Sequence, residues 1–222
     1  MSGSAIAPVF ALGPRITAQV LGLPMTLYRC NGVGPVIASV NVHATLPAWV
    51  TADPQLMASK PLTYKTPLAY AAVDPALTLP GDYLVGAVTL GGATETFFIA
   101  SQDVPAPIQV VRCNRALTVS RPGAGAPGPN YYGGDLTASE TLLLTAWPAA
   151  VADKGRRQAG ETALPGDMDL PWCEIFLPPT IPVQIRPSDV MLDDQVQPVR
   201  YVVSGVEQTP FGWRLLARFA VP

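Results

Sequence analysis

The fold is decided by two matching stretches, PGDYLV with FFIAS at residues 80–85 and 97–101, and PSDVML with RYVVS at residues 187–192 and 200–204. Each begins with a proline, a small residue and an aspartate, which is typical of a turn because an aspartate side chain hydrogen-bonds nearby backbone. An apolar strand, a second turn and a strand led by aromatic residues follow. The pattern predicts two small β-barrels of one plan in tandem, although any two hairpins share some of these features.

The composition favours short strands and loops over long helices. The 25 prolines and 19 glycines make up 44 of the 222 residues, and a proline in a helix interior costs about 3 kcal/mol. Because 49% of the residues are apolar, disorder throughout the chain is not expected. We therefore expect an all-β fold of two small barrel or sandwich domains in tandem, with a long irregular loop and a short N-terminal helix or arm.

Prolines and glycines also suggest where the domains divide. They are densest at 121–134, which has the composition of a linker. We predict an N-terminal arm and β domain at 1–122, a linker at 123–134, and a C-terminal barrel domain at 135–222. Within the first domain, the stretch at 45–75 contains five prolines and is expected to be a long functional loop.

Local patterns predict individual elements. A short helix is expected at about 14–21, because Ile16 and Val20 have helical spacing and Pro14 suits a helix start. Residues 35–42 are predicted to form a strand. In the second domain, strand alternation predicts an inward-facing set, namely Val190, Leu192, Tyr201, Val203, Trp213 and Leu215.

Charged residues are sparse. The 14 basic and 16 acidic residues are 14% of the chain, where about 25% is usual. Low surface charge favours association, so we expect an oligomer or assembly component; a monomer with a neutral polar surface is the alternative. The pI near 5.3 indicates no basic face for nucleic acid. Two basic clusters are expected to be solvated loop or strand-end charges: Lys154, Arg156 and Arg157, and Arg112, Arg115 and Arg121.

Cysteine and histidine usage predicts no metal or redox site. Cys30, Cys113 and Cys173 form no CxxC motif and are expected to be free, buried thiols, and their odd number suits a reducing compartment. The chain has one histidine, His43, so no site with several histidines can form within it. The strand-like setting of His43 predicts a structural role.

Acidic pairs and glycine-rich segments also lack a catalytic context. Asp167 and Asp169 follow a Pro-Gly turn, and Asp193 and Asp194 fall where a hairpin turns, so turn chemistry accounts for both pairs. The run Gly123-Ala124-Gly125 is not followed by the Lys-Ser/Thr that a phosphate-binding loop requires. We expect no enzyme activity, no catalytic residue, no cofactor and no metal.

The sequence predicts no membrane association. The N-terminus lacks the basic region and apolar run of a secretory signal. Residues 30–52 carry no charge and are long enough to span a bilayer. Their glycines, asparagines and prolines nevertheless indicate strands and turns rather than a membrane helix.

Several motifs resemble those of virion proteins of tailed phages and prophages: GLPMTLYR at 22–29, GDYLV at 81–85, TFFIA at 96–100 and VRCNR at 111–115. The C-terminal part is similar to small β-barrel head-completion (stopper) and tail-adaptor proteins, in RPSD at 186–189, RYVVSGVE at 200–207 and FGWRL at 211–215. In those proteins a proline–small–aspartate turn begins a barrel strand, and a Gly-Trp-Arg-Leu strand closes the barrel. The resemblance covers about half of the chain.

The resemblance implies a structural virion protein of the neck, the head-tail connector between capsid and tail. It implies a homo-oligomeric ring that contacts portal or adaptor proteins on one side and tail or tail-terminator proteins on the other. DNA would pass through such a ring without sequence-specific binding. The protein would assemble in the host cytoplasm and remain in the virion. Contacts are expected from the N-terminal arm at 1–24 and the loop at 45–75.

Two other functions remain open. One is a capsid decoration protein or a tail- or fibre-associated β protein. The other is a small-ligand or carbohydrate-binding module, in which Trp49, Trp147, Trp172 and Trp213 would stack on the ligand. Because these four tryptophans share no spacing, core or interface positions are expected for them instead.

Overall fold

The computed structural model describes residues 7–51, 68–102, 107–123, 140–153 and 172–219, with side chains from Leu12 onward. In these residues the chain forms one α-helix and twelve β-strands. They are α1 (Ala7–Leu21), β1 (Leu23–Tyr28), β2 (Val42–Thr51), β3 (Leu68–Ala72), β4 (Tyr83–Ala87), β5 (Thr94–Ser101), β6 (Ile108–Cys113), β7 (Arg115–Arg121), β8 (Thr141–Asp153), β9 (Trp172–Leu177), β10 (Val190–Leu192), β11 (Arg200–Thr209) and β12 (Gly212–Phe219). Four predicted features lie wholly or mostly outside the described residues: the middle of the 45–75 loop, the linker at 123–134, the pair Asp167 and Asp169, and the cluster Lys154, Arg156 and Arg157.

The strands close into two antiparallel barrels. The first barrel has the strand order β1-β2-β3-β6-β5-β4, and the second has the order β7-β8-β9-β12-β11-β10. The second order is the first repeated with the next six strands of the chain. The prediction of an all-β protein with two small barrels in tandem and a short N-terminal helix is therefore confirmed.

The strand register repeats along with the strand order. Leu23 lies opposite Ala48 in the β1–β2 pair, and Arg115 lies opposite Ala149 in the β7–β8 pair. Each barrel also has a bulge at the same place, in β5 where it pairs with β6 and in β11 where it pairs with β12. A bulge bends the strand and strengthens its twist, so both barrels turn the same corner.

An arginine–aspartate pair joins the first and fourth strands of each barrel; we call the two pairs the Arg–Asp clasps. In the first barrel Arg29 donates hydrogen bonds to both carboxylate oxygens of Asp82, at 2.8 and 2.6 Å. In the second, Arg121 donates to both oxygens of Asp189, at 2.7 and 2.8 Å. Both aspartates are buried. The hydrogen bond to the aspartate raises the pKa of each arginine, so both guanidinium groups stay protonated.

The turn that carries each aspartate is repeated too. Asp82 and Asp189 each accept a hydrogen bond from the backbone N–H three residues earlier, at 2.8 Å. The residue before each aspartate has a positive φ, 93° at Gly81 and 74° at Ser188. Gly81 also lacks room for a side chain, because a Cβ there would lie 1.6 Å from Oγ1 of Thr180. The small residue of the sequence signature is therefore a backbone requirement.

The two barrels pack directly on each other. Tyr83 lies on the outer face of the first barrel, where its hydroxyl donates to the carbonyl oxygen of Pro148 at 3.0 Å. Its ring lies edge-on to Trp147, with centroids 6.3 Å apart. Phe98 and Val111 of the first barrel are also buried in the core cluster of the second. Burial raises the pKa of Tyr83, which keeps the buried hydroxyl protonated and able to donate.

The barrels join at Asn114, ahead of the predicted boundary at 123–134. Strand β7 pairs with β8 and β10 of the second barrel, so the division at 1–122 and 135–222 is corrected to one between β6 and β7. In chain order the proline- and glycine-rich segment falls between β7 and β8, two strands of the second barrel. Its composition therefore did not mark the boundary between the barrels, which a single residue, Asn114, links.

Two predicted elements have different bounds from those expected. Helix α1 begins at Ala7 rather than Pro14, and Pro8 supplies the proline of its first turn. The stretch at 45–75 is not irregular throughout, since β2 continues to Thr51 and β3 begins at Leu68. Proline does not break β2, because Pro47 lies opposite Pro24 of β1, where two residues without N–H groups face each other.

Residues 35–42 do not form the predicted strand. They form bends and a 3-10 turn at Ser39–Asn41, and β2 starts only at Val42. The Asn41 side chain donates hydrogen bonds to the carbonyl oxygens of Pro35 and Val36, at 2.9 and 3.0 Å. An asparagine that binds preceding backbone in this way stabilises a turn in competition with a strand.

In the second barrel, the inward side of β10 differs from the prediction by one residue. Met191 is fully buried between Val119 and Tyr201, its partners in β7 and β11, whereas Leu192 is 42% exposed. The other predicted core residues, Val190, Tyr201, Val203, Trp213 and Leu215, are buried. Val190 is buried on the outer side of its strand. Because the prediction took Val190 as inward-facing, strand alternation also placed Leu192 inward, which is wrong.

We expect the Arg–Asp clasps to contribute more stability than an exposed ion pair. Changing Asp82 or Asp189 to asparagine leaves an arginine without its counter-charge, which should lower the free energy of unfolding by about 3 kcal/mol. Glu95→Gln is the matched control, because it removes an exposed pair with Arg112 and should cost less than about 1 kcal/mol. Urea unfolding measures both, and equal losses for Asp189→Asn and Glu95→Gln would contradict the role of the clasp.

The position of Met191 gives a second stability test. Met191→Ala should lower the free energy of unfolding by about 2–5 kcal/mol, since it opens a cavity in the core of the second barrel. Leu192→Ala should change it by less than about 1 kcal/mol, because that side chain is substantially exposed. Thermal unfolding of the two variants decides the register, and a larger loss at Leu192 would show that β10 has been placed one residue off.

Candidate functional site

A groove with a volume of about 510 Å³ lies where the two barrels meet; we call it the inter-barrel groove. One wall comes from the start of β5 and the end of β6 in the first barrel. The other comes from the start of β7 and from β8 in the second. Its lining includes Ile37, Thr94–Thr96, Arg112–Ala116, Pro148, Ala150–Ala152 and Asp194. The lining therefore combines small and apolar side chains with polar and charged ones.

Asn114, the residue between the barrels, completes the wall formed by β8. Its side-chain Nδ2 donates to the carbonyl oxygen of Val151 at 2.9 Å, and its Oδ1 accepts from the N–H of Val151 at 2.8 Å. Its backbone N–H donates to the carbonyl oxygen of Ala149 at 3.0 Å. The amide side chain thus takes the place of one pair of backbone hydrogen bonds between strands. It binds the N–H and the carbonyl oxygen of Val151 in β8 just before β7 begins.

Charged groups at the groove are held by one another along its edges. Arg112 and Glu95 form an ion pair at 2.8 Å, and the Nε of Arg115 lies 3.7 Å from the buried carboxylate of Asp193. Asp194 is exposed at the rim, where its Oδ1 accepts a backbone hydrogen bond at 3.1 Å. The charged side chains of the groove are therefore already bonded within the chain.

The cysteine that lines the groove does not suit covalent chemistry. Cys30, Cys113 and Cys173 are free thiols, as predicted, but the prediction that all three are buried holds only for Cys173, since Cys30 and Cys113 are half-buried. Burial raises the pKa of Cys113 far above its ordinary value and raises that of Cys173 to about 12. Because the thiolate is the nucleophile, Cys113 in its neutral form is a small apolar wall residue at physiological pH.

Two hairpins flank the groove, and each has an aliphatic residue at its tip. Leu90, between β4 and β5, is 90% exposed, and Val196, between β10 and β11, is fully exposed. The hairpins occupy equivalent places in the two barrels. Thr94, which follows the first tip, and Asp194, which precedes the second, both line the groove. We call Leu90 and Val196 the hairpin tips.

Helix α1 presents a second apolar surface. Ala18 is buried on the side that packs against β2 and β3. Leu12, Ile16 and Val20 are spaced by four residues, lie on one face and are all exposed, Val20 at 74%. We call these three the helix stripe. In the described residues no helix is long and apolar enough to cross a membrane.

The sequence predicted no catalytic or metal-binding residue. Among the residues that the structure describes, no cluster of three His, Cys, Asp or Glu side chains forms. His43 is exposed on β2, and its Nε2 lies 3.4 Å from the Nη1 of Arg29. Asp193 accepts hydrogen bonds from the N–H of Val199 at 2.7 Å and the hydroxyl of Tyr201 at 3.1 Å. It therefore shapes the hairpin turn, as the sequence predicted.

The four tryptophans do not form a shared platform for a ligand. Trp147 and Trp213 are buried, and both belong to the core cluster of the second barrel. Trp49 and Trp172 are half-buried and lie in different barrels. The prediction of core or interface positions is confirmed for Trp147 and Trp213. Because both are buried, neither supports a role in stacking on a ligand.

Sequence reasoning did not find the groove, because its walls come from separate barrels and meet only through the fold. One signal was present in the matching segments PAWV at 47–50 and PAAV at 148–151. The register places Trp49 and Ala150 at equivalent positions, one residue after Ala48 and Ala149. A bulky residue in the first barrel is thus replaced by a small one where the second barrel has its groove.

Comparison with protein-family models, curated proteins and solved structures gives no match for this chain. The likeness to stopper and tail-adaptor proteins therefore stays a prediction from the motifs quoted above. The functional argument has to start from the surfaces that the fold creates: the inter-barrel groove, the hairpin tips and the helix stripe.

The raised pKa values of Cys113 and Cys173 predict both low reactivity and a pH dependence. Cys113 and Cys173 should react with a disulfide reagent at pH 8 at least about tenfold more slowly in the folded protein than in urea, since few of them are ionised. An unfolded cysteine ionises near pH 9, whereas folded Cys173 does so near 12. The folded state should therefore lose stability as the pH rises from about 9 to about 12. Rapid labelling of Cys113 in the native protein would contradict this.

Proposed function

We propose that this protein is a structural, non-enzymatic subunit that assembles with copies of itself, and that the assembly is a ring in the neck of a tailed phage, joining the capsid portal to the tail. Self-assembly of a structural subunit is supported by the surfaces of the two barrels and of α1. The place in the phage neck is supported by the motifs that resemble stopper and tail-adaptor proteins.

The observation that carries the proposal is the contrast between neutralised charges and exposed aliphatic side chains. Most arginines of the described residues pair with a carboxylate of the same chain: Arg15 with Asp74, Arg29 with Asp82, Arg112 with Glu95, Arg115 with Asp193, Arg121 with Asp189, Arg200 with Glu140, and Arg214 with Glu174 and Glu207. The helix stripe and the hairpin tips, in contrast, place aliphatic groups in water. Contiguous exposed apolar groups, such as the three residues of the helix stripe, are typical of surfaces that bind another protein.

Paired arginines also fit a neck protein through which DNA passes. Proteins that bind DNA tightly direct free lysine and arginine side chains at phosphates. Here Arg29 and Arg121 each give two hydrogen bonds to an aspartate, so both guanidinium groups are occupied. This supports a ring that surrounds DNA without holding a particular sequence.

Self-assembly can be measured on the purified protein. Sedimentation velocity over a range of concentrations should show oligomers, and Val196→Asp should weaken their formation at least about tenfold, because it places a charge on a hairpin tip. Gln195→Asp is the matched control, since it adds the same charge to the same turn and keeps the apolar side chain. A protein that remains monomeric at every concentration would overturn the self-assembling subunit.

The place of the assembly can be tested in a phage or prophage that encodes this chain. Deleting the gene should give DNA-filled heads without attached tails, or heads that leak DNA, as seen by electron microscopy. Complementation with the wild-type gene should restore joined particles. Normally joined, infectious particles without the protein would overturn the neck assignment, and joined particles of reduced stability would overturn it in favour of a capsid decoration role.

A further inference from the structure

The repeat identifies a place on the second barrel that corresponds to the site of α1 on the first. In the first barrel, α1 precedes β1 and packs along β2 and β3. Because Leu23 and Arg115 occupy equivalent positions, the equivalent place on the second barrel precedes β7 and runs along β8 and β9. The inter-barrel groove occupies the part of that place along β8, with Ala150 and Ala152 in its lining, and none of its lining residues belongs to β9. The second barrel thus has a groove along β8, whose counterpart β2 carries the helix in the first barrel.

The helix stripe is a chemical match for this groove. The stripe offers three aliphatic side chains, and the groove has Ala150 where the first barrel has the larger Trp49. At the edge of the stripe, Arg15 is 56% exposed at its side chain and forms an ion pair with Asp74 at 3.4 Å. Asp194 at the groove rim is an exposed carboxylate, opposite in charge to Arg15.

The stripe does not line the groove of its own chain, because α1 packs on the first barrel. The N–H of Gly22 donates to the carbonyl oxygen of Ala18 at 2.8 Å, which closes the last turn of the helix. A Cβ at Gly22 would lie 2.3 Å from that oxygen and 2.9 Å from the backbone of Ala48, which shows how closely the helix end meets β2. The residues that would enter the groove therefore belong to a second copy.

We propose that the inter-barrel groove receives the helix stripe of another copy of this chain, so that subunits join head to tail. The proposal rests on the proposed function, of which it names the contact. A head-to-tail contact uses two different surfaces of each subunit, so it forms a ring when the rotation between subunits closes. The hairpin tips on either side of the groove then contact the flanks of the entering helix.

Two variants that block opposite sides of this contact test it. Ile16→Arg disables the stripe and leaves the groove intact, and Ala152→Arg disables the groove and leaves the stripe intact. Each variant alone should self-associate at least about tenfold more weakly than the wild type in sedimentation velocity. Thr45→Arg is the control, because Thr45 is exposed on β2 outside both surfaces, and it should assemble like the wild type.

Mixing the two blocked variants gives the decisive result. The intact stripe of one should enter the intact groove of the other, so the mixture should form a one-to-one dimer and nothing larger, since the remaining ends both carry added arginine. Circular dichroism and thermal unfolding establish that each variant is folded, and Val20→Arg replaces Ile16→Arg if the latter is not. Oligomers that persist in both variants, or a mixture that stays monomeric, would overturn the head-to-tail contact. If the wild type never assembles, the proposed function itself fails.

Discussion

Each barrel depends on one arginine–aspartate pair that joins residues far apart in the chain, 53 positions apart for Arg29 and Asp82 and 68 for Arg121 and Asp189. A buried carboxylate is costly unless it has both a counter-charge and hydrogen bonds. The clasp supplies two hydrogen bonds from the arginine, and the turn supplies a third from the backbone. Because one aspartate closes the seam between the first and fourth strands and also shapes the turn, two barrels of different sequence keep one register.

The repeated plan leaves the barrel frameworks alike and makes the outer faces different. Tyr83 and Val190 follow the two clasp aspartates in equivalent positions, but Tyr83 reaches across to Pro148 of the other barrel. Trp49 and Ala150 are likewise equivalent, and the smaller residue lines the groove. The contact between the barrels and the groove beside it therefore arise where the two copies diverge, and an account of function has to be sought there.

The range of the interactions decides how much of this could be predicted from the sequence. The turn around Asp82 and Asp189 is local, so its signature gave the repeat and the two-barrel fold. The assignment of β7 to the second barrel depends on pairing with β10, which lies far along the chain, and the proline-rich segment after it misled the domain boundary. The side of β10 that carries Met191 depends on two partner strands. The groove depends on how two barrels meet, which no local pattern contains.

A subunit that must remain soluble before assembly cannot expose a large apolar face, since such faces associate without order. The helix stripe of this chain has three aliphatic residues, and the groove proposed to receive it holds about 510 Å³, so a single contact of this kind is weak. A ring compensates for weak contacts, because the subunit that closes it makes two contacts but loses its translational and rotational freedom only once. In the proposed head-to-tail contact, small surfaces at two places on each subunit, with the charges paired inside the chain, would suit a closed ring better than a tight dimer.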